Sequence, residues 1–246
     1  MENKNEFIEN LGNNISIICS SSHGFGSDAV LLADFASCKK KDVACDLGTG
    51  CGIIPLIWCA NECAKSITAV DIQPLATQQL QRSVALNNLE NKVSIVNADL
   101  KNLKNLVPFG QFDLVTMNPP YKAVDSGILS NATAEQIARH EVMCNINDIC
   151  NTASNLLRFG GRFCLCNRPE RLCDVINAMR KNDIEPKKLR FVSKNSTCAP
   201  WLFLIEGKKG SKPYLNILPQ LFMQDEHGND SEELIKIIGK YRGTKK

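Results

Sequence analysis

No Cys-x-x-Cys pair occurs in the 246 residues, although cysteine appears 12 times. Nothing has the spacing of a zinc ribbon, so no metal is expected. A disulfide framework does not suit a chain of this length whose 43% hydrophobic content allows a full-sized core. Several thiols sit inside apolar runs (Cys45, Cys59, Cys164, Cys166), where buried side chains of a reducing compartment belong. The segment from Met1 to Gly12 is polar and acidic, without an apolar leader. No apolar run approaches the ~20 residues that span a bilayer. Internal repeats and low-complexity segments are missing too. The expectation is a soluble, cytoplasmic chain of one domain, with no membrane partner.

An excess of one charge is also lacking. The formal net charge of +3 is too small to argue for nucleic acid. Its distribution says more. Residues 1–120 carry 9 Lys/Arg against 12 Asp/Glu, and residues 121–246 carry 20 against 14. Local clusters stand at Lys187, Lys188, Arg190, Lys194 and at Lys208, Lys209, Lys212. They suit either a solvated surface or a polyanionic partner.

What is present is alternation. Val43–Leu47, Ser66–Asp71, Val93–Val96 and Phe112–Met117 read as strands. Helical stretches over Ile53–Cys63 and Pro74–Asn88 separate the first three, with Pro74 in a first turn that tolerates proline. A helix over Asn147–Leu157, a Gly160-Gly161 turn, a strand Arg162–Cys166 and a helix Pro169–Arg180 follow. Leu189–Ser193 and Trp201–Ile205 are the candidate last strands, and Gly207–Lys212 reads as a basic turn. This pattern predicts an α/β fold: a Rossmann-like, seven-stranded, mostly parallel sheet with helices on both faces. Residues 1–42 form a short N-terminal arm packing over the site, with Ile15–Ile18 as part of a hairpin; residues 43–246 form the domain, with a short basic tail.

Ligands of such sheets bind at the carboxyl ends of the strands. Four polar clusters fall there: Asp46–Gly52, Asp71, Asp99 and Asn118–Tyr121. In Asp46-Leu-Gly48-Thr49-Gly50-Cys-Gly52 the glycines let a tight turn approach a ligand. Their spacing is G-x-G-x-G, not the G-x-G-x-x-G of dinucleotide folds. Asp71 suits the two hydroxyls of a ribose, or the start of the next helix. Asp99 suits an exocyclic amine, or the capping of a turn.

Asn118-Pro119-Pro120-Tyr121 is the most specific feature. A conjugated NH2 is a poor nucleophile because its lone pair is delocalised. An asparagine oxygen and a proline carbonyl can each take one N–H, and the lone pair can then turn toward an electrophile. The prolines stiffen the turn. Tyr121 offers a ring on which a planar group stacks, worth ~1–3 kcal/mol per base. Positioning supplies much of the acceleration, with no ionised base at the attack step.

With this motif the sequence resembles class I S-adenosylmethionine-dependent methyltransferases of the N6-adenine/N5-glutamine type. More narrowly it resembles the bacterial tRNA1(Val) adenine-37 N6-methyltransferase family. The matches outside the motif are Gly24-Phe-Gly-Ser27-Asp28-Ala-Val-Leu-Leu-Ala33, Ile137-Ala-Arg139-His140-Glu141, Arg168-Pro-Glu-Arg171-Leu, the tail from Leu204 to Pro213, and Leu218-Pro. The resemblance implies S-adenosylmethionine as cofactor, a tRNA substrate and no metal. It implies cofactor contacts from Phe25, Ser27, Asp46, Gly48, Thr49, Gly50, Gly52, Asp71, Ile72, Asp99, Leu100 and Asn118. Catalysis falls to Asn118, Pro119, Pro120 and Tyr121. Cys198-Ala-Pro200-Trp201 is bulkier than the family pattern before its strand. Arg139-His140-Glu141 reads as a salt-bridge cluster at a helix end. His23 and His227 stand alone and receive no chemical role.

Other readings share the motif. A protein-glutamine N5-methyltransferase presents an amide to the same acceptors, but only 42 residues precede the first strand, little for a helical recognition domain. Adenine methylation in rRNA or DNA is a further alternative, although a DNA enzyme needs a target-recognition region for which there is little room. A small-molecule enzyme leaves the basic segments without purpose. A non-catalytic binding module leaves Asn118 and Tyr121 without purpose. A dinucleotide oxidoreductase conflicts with the glycine spacing.

Overall fold

The computed structural model describes residues 6–20, 23–119 and 145–239. The chain opens with an antiparallel hairpin, β1 (Glu6–Asn10) and β2 (Ser16–Ser20). Helix α1 (Ser27–Phe35) leads to the first strand of the main sheet, β3 (Val43–Leu47). Then come α2 (Ile53–Ala60), β4 (Ser66–Asp71), α3 (Pro74–Leu86), β5 (Val93–Asn97) and β6 (Phe112–Met117). After the undescribed stretch lie α4 (Ile146–Leu156), β7 (Leu157–Asn167), α5 (Leu172–Lys181), β8 (Ile184–Ser193) and β9 (Leu202–Lys209). Two short strands, β10 (Asn216–Ile217) and β11 (Leu221–Phe222), and helix α6 (Glu232–Gly239) follow.

The sheet runs β10-β8-β9-β7-β6-β3-β4-β5, with β11 also on β8. Strands β3 to β7 are mutually parallel, and among the described residues only β9 runs against its neighbours in this sheet. The seven expected strands are all present, and the two-residue strands bring the sheet to nine among the described residues. The order reverses between β3 and β6: β4 and β5 extend one way from β3, β6 and β7 the other. Crevices form at such switch points.

Alternation along each strand buries both faces. Ala44, Leu114, Cys164 and Leu204 join a core with α1, α2, α3 and α6, while Cys45, Val115, Leu165 and Ile205 join a second core with α4 and α5. All eight residues of α2 are buried, which accounts for its unbroken apolar sequence.

Several boundaries differ from the sequence reading: β8 begins at Ile184 and not Leu189, α2 ends at Ala60 and not Cys63, and two further differences turn on glycine. Gly160-Gly161 lies inside β7, where Phe112 pairs Leu157 but Leu114 pairs Arg162. The extra residues form a bulge. A Cβ at Gly161 would stand 2.8 Å from the Phe112 carbonyl, so only glycine fits there. Gly207 likewise lies inside β9, pressed against Ile184 of β8, so the supposed turn begins only after Lys209.

The hairpin docks on a polar stripe of α3. Gln79, Ser83 and Asn87, each four residues apart, face β2. Asn87 accepts from Ser16 N (2.8 Å) and donates to Ser16 O (2.7 Å), Ser83 Oγ accepts from Ile18 N (3.0 Å), and Gln79 Nε2 donates to the carbonyls of Ile18 and His23 (both 2.8 Å). This side-chain ladder substitutes for a strand partner and aims the following segment at α1.

Candidate active site

Register places the strand-end residues side by side. Leu47 pairs with both Val70 and Met117, Asp71 pairs with Asn97, and Met117 pairs with Leu165. The glycine turn after β3 therefore emerges between Asp71 and Asn118, one strand spacing (~4.8 Å) from each strand. That is the switch point of the sheet, where ligands of such folds bind.

Gly48, Gly50 and Gly52 all have positive φ, 64°, 55° and 85°. Asp71 shapes the turn: Oδ2 accepts from Gly50 N (2.7 Å) and Oδ1 from Gln73 N (2.9 Å). Each carboxylate oxygen keeps a further lone pair for a ligand hydroxyl. The cap of α3 is Gln73, so Asp71 serves the turn before that helix and not its N-cap. Asp99 caps the short 3-10 turn Leu100–Asn102, accepting from Lys101 N at 2.9 Å. Ile72 is exposed and Leu100 half-buried beside these carboxylates.

Asp46 is buried at the base of the turn and accepts from Thr116 Oγ1 at 2.7 Å. Burial pushes its carboxyl up to about 7, against the opposing effect of the Thr116 and Thr49 hydroxyls. Thr49 Oγ1 lies close enough to favour the carboxylate, yet it is buried without a hydrogen-bond partner among the described residues. A Cβ on Gly50 would meet no described atom within 4 Å. An orphaned hydroxyl and an open glycine turn beside the Asp71 and Asp99 carboxylates fit a polar nucleoside.

On the other side of the turn stands half-buried Asn118. Its Nδ2 donates to Asp28 Oδ2 at 3.3 Å, and its Oδ1 accepts from the Cys166 thiol at 3.2 Å. A carboxylate only accepts, which fixes the amide with its oxygen turned away from Asp28. Pro119 is buried behind it. Pro120, Tyr121, the Lys122–Thr133 stretch and Arg139-His140-Glu141 lie outside the described residues. Phe25 is half-buried against the α1–α3 core and Ser27 starts α1, so both sit in the segment that carries Asp28. Asp28 has no role assigned from sequence; it enters only within the Gly24–Ala33 match.

The basic clusters divide. Lys188 pairs with Glu206 and Arg190 with Glu233. Lys187 stands 5.6 Å from the Tyr214 ring centroid and donates to the Lys212 carbonyl. It lies near the start of β8, and Lys208 near the end of antiparallel β9, roughly 20 Å along the sheet from Asn118. Arg168 and Trp201 leave the sheet at the Asn118 end, where the guanidinium lies 5.6 Å from the indole and donates to the Trp201 carbonyl at 3.0 Å. A separate cleft of about 360 Å³ between Leu100 and α4 includes neither the glycine turn nor Asn118.

Comparison with known proteins gives the family and the fold. A tRNA1(Val) (adenine(37)-N6)-methyltransferase of Parabacteroides distasonis is 28% identical over 184 residues, 74% of this chain and 75% of that protein. A protein of the same name from Porphyromonas gingivalis is 28% identical over 61% of this chain and 60% of its own length. Among solved structures, a predicted O-methyltransferase from Agrobacterium tumefaciens shares the fold with a TM-score of 0.69, at 20% identity, over 87% of this chain and 96% of that one. Residues 16–176 match the family model described as the methyltransferase small domain, more than half of the sequence, and the chain is a methyltransferase belonging to that family.

Proposed function

We propose that the chain methylates the N6 amine of an adenine in tRNA, with adenine 37 in the anticodon loop of a valine tRNA as target. The observation that carries the reading is Asn118 beside the glycine turn, its amide oxygen turned away from Asp28. The two relatives named for this reaction support the substrate.

S-adenosylmethionine bound at the turn supplies a methyl made electrophilic by its sulfonium. Asp71 would hold the ribose hydroxyls, Asp99 the adenine amine of the cofactor, and Gly48 to Gly52 its amino-acid tail. Asn118 Oδ1 and the Pro119 carbonyl would each accept one N–H of the target. The thiol of Cys166 that now occupies Asn118 Oδ1 is a weak donor and is exchanged at small cost. Transfer would leave the methyl on the held nitrogen and release one N–H proton to solvent, while Asn118 Oδ1 and the Pro119 carbonyl keep the amine in place. The target base leaves its stack to reach the crevice. The phosphate backbone would contact the basic surface, including Lys187, Lys208 and Lys212 if the RNA extends along the sheet. A tRNA substrate supports a cytoplasmic location. Among the described residues no helix is long and apolar enough to cross a membrane.

The test is nucleoside mass analysis of tRNA lacking the modification, after incubation with enzyme and cofactor. N6-methyladenosine is the expected product. Label in protein glutamine, with none in RNA, would replace this reading by the N5-glutamine one.

A further inference from the structure

We propose that Asp28 is a positioning residue that sets the orientation of the Asn118 amide, and that Gly26 exists to make room for it. The inference rests on the methyl-transfer reading above.

Asn118 is useful only one way round. Its oxygen must face the target amine; a flipped amide presents NH2 to NH2, and neither can accept. Flipping an amide exchanges groups of nearly equal size, so packing alone does not choose between the two. An ionised acceptor does. Asp28 Oδ2 takes the Asn118 Nδ2 hydrogen at 3.3 Å, across 90 positions of sequence. Cys166 reports the same choice, since its thiol donates to Asn118 Oδ1.

The carboxylate is itself held. Asp28 lies in the first turn of α1, and its Oδ1 accepts from Ala29 N at 2.9 Å. It folds back over Gly26: a Cβ there would stand 2.5 Å from Asp28 Oδ1. The backbone of Gly26 is extended, φ −103°, ψ 172°, which any residue adopts. Glycine is therefore needed for space and not for conformation. Alanine at 26 would displace the carboxylate without removing its charge.

The test uses the full chain with Asp28→Ala, Asp28→Asn and Gly26→Ala. The first readout needs no RNA: the side-chain NH2 resonances of Asn118 in 15N-asparagine-labelled protein, assigned by their loss in Asn118→Ala. They should shift in Asp28→Ala and Gly26→Ala. The second readout is kinetic. At saturating tRNA, Asp28→Ala should lower kcat about 10- to 100-fold, the size of one charge-assisted hydrogen bond. Cofactor affinity should stay within about twofold, because among the described residues the hydrogen bonds of Asp28 go to Ala29 and Asn118 and not to the turn. Asp28→Asn should recover only part of the rate, since its single carbonyl oxygen can accept from Asn118 Nδ2 or from Ala29 N but not from both. Gly26→Ala should resemble Asp28→Ala. A merely structural role would lower thermal stability and leave kcat per folded molecule unchanged, with no rescue by asparagine. Unshifted Asn118 resonances in Asp28→Ala, or an unchanged kcat, would overturn the proposal. Failure of the wild-type chain to methylate tRNA would instead sink the substrate assignment, and the resonance experiment would still decide the role of Asp28.

Discussion

Asn87 grips Ser16 by both edges of its amide: Oδ1 accepts from Ser16 N at 2.8 Å and Nδ2 donates to Ser16 O at 2.7 Å. The contact imitates a strand pair, and it is the first rung of the ladder that ties the hairpin to α3. The chain then runs from the hairpin to Asp28. Asn87→Ala would leave a half-buried N–H and C=O unpaired, for about 1–3 kcal/mol of stability. Amide exchange should speed up at Ser16 and Ile18 well before the central sheet opens. Unaltered exchange at both would show that the hairpin is held by its apolar contacts alone.

Asp71 offers a sharper test of the cofactor half. Its two oxygens already accept from Gly50 and Gln73, so asparagine must turn an NH2 toward one of those donors. Asp71→Asn should keep the fold and weaken S-adenosylmethionine binding at least ~10-fold in calorimetry, through the lost charge and the disturbed turn. An unchanged affinity would mean that the carboxylate does not face the nucleoside.

Much of this arrangement was legible in the sequence. Val43–Leu47, Ser66–Asp71 and Phe112–Met117 are apolar runs that stop at polar clusters, and the structure assigns them those same bounds. The parallel register that brings Asp71, the glycine turn and Asn118 together follows from such alternation. What was not legible depends on tertiary context. Arg158-Phe-Gly-Gly161 has turn chemistry, yet it bulges inside β7 because its neighbours supply the pairing. Glu185-Pro-Lys-Lys188 is too polar to read as a strand. It is one because β9 covers one edge and the lysines reach solvent or Glu206. Asp28 gave no signal of its own because its partner lies 90 positions away.

Burial of Asp46 predicts an unusual pH dependence. Its carboxyl is raised from 3.8 to about 7, so the folded chain holds the proton more tightly than the unfolded chain. Stability from this group is then fully present below about pH 4, falls between about 4 and 7, and is lost above 7. The span is on the order of 4 kcal/mol. Asp46→Asn, which carries no proton to lose, should flatten that slope in urea denaturation of the cofactor-free protein at pH 5 and pH 8. A slope equal to that of the wild type would show that another group carries it.

Arg162 binds three parts of the chain that sequence separates. Its guanidinium donates to Ala36 O (2.7 Å) at the end of α1, to Asp42 (2.9 Å) before β3, and to Glu206 (3.2 Å) on β9. All three side chains are mostly buried, so the pairs are shielded from solvent and salt. Arg162→Met would fill the volume but strand Asp42 without its cation, and Glu206 with Lys188 alone. The expected cost is about 3–5 kcal/mol. Arg162→Lys should lose less but still measurably, because one ammonium cannot reproduce a planar fork that reaches a carbonyl and two carboxylates at once. High salt should leave the wild-type midpoint nearly unchanged, as a buried network requires. A methionine variant as stable as the wild type would mean that hydrophobic packing replaces the network. The end of α1 would then be held by its apolar face, and not by the guanidinium.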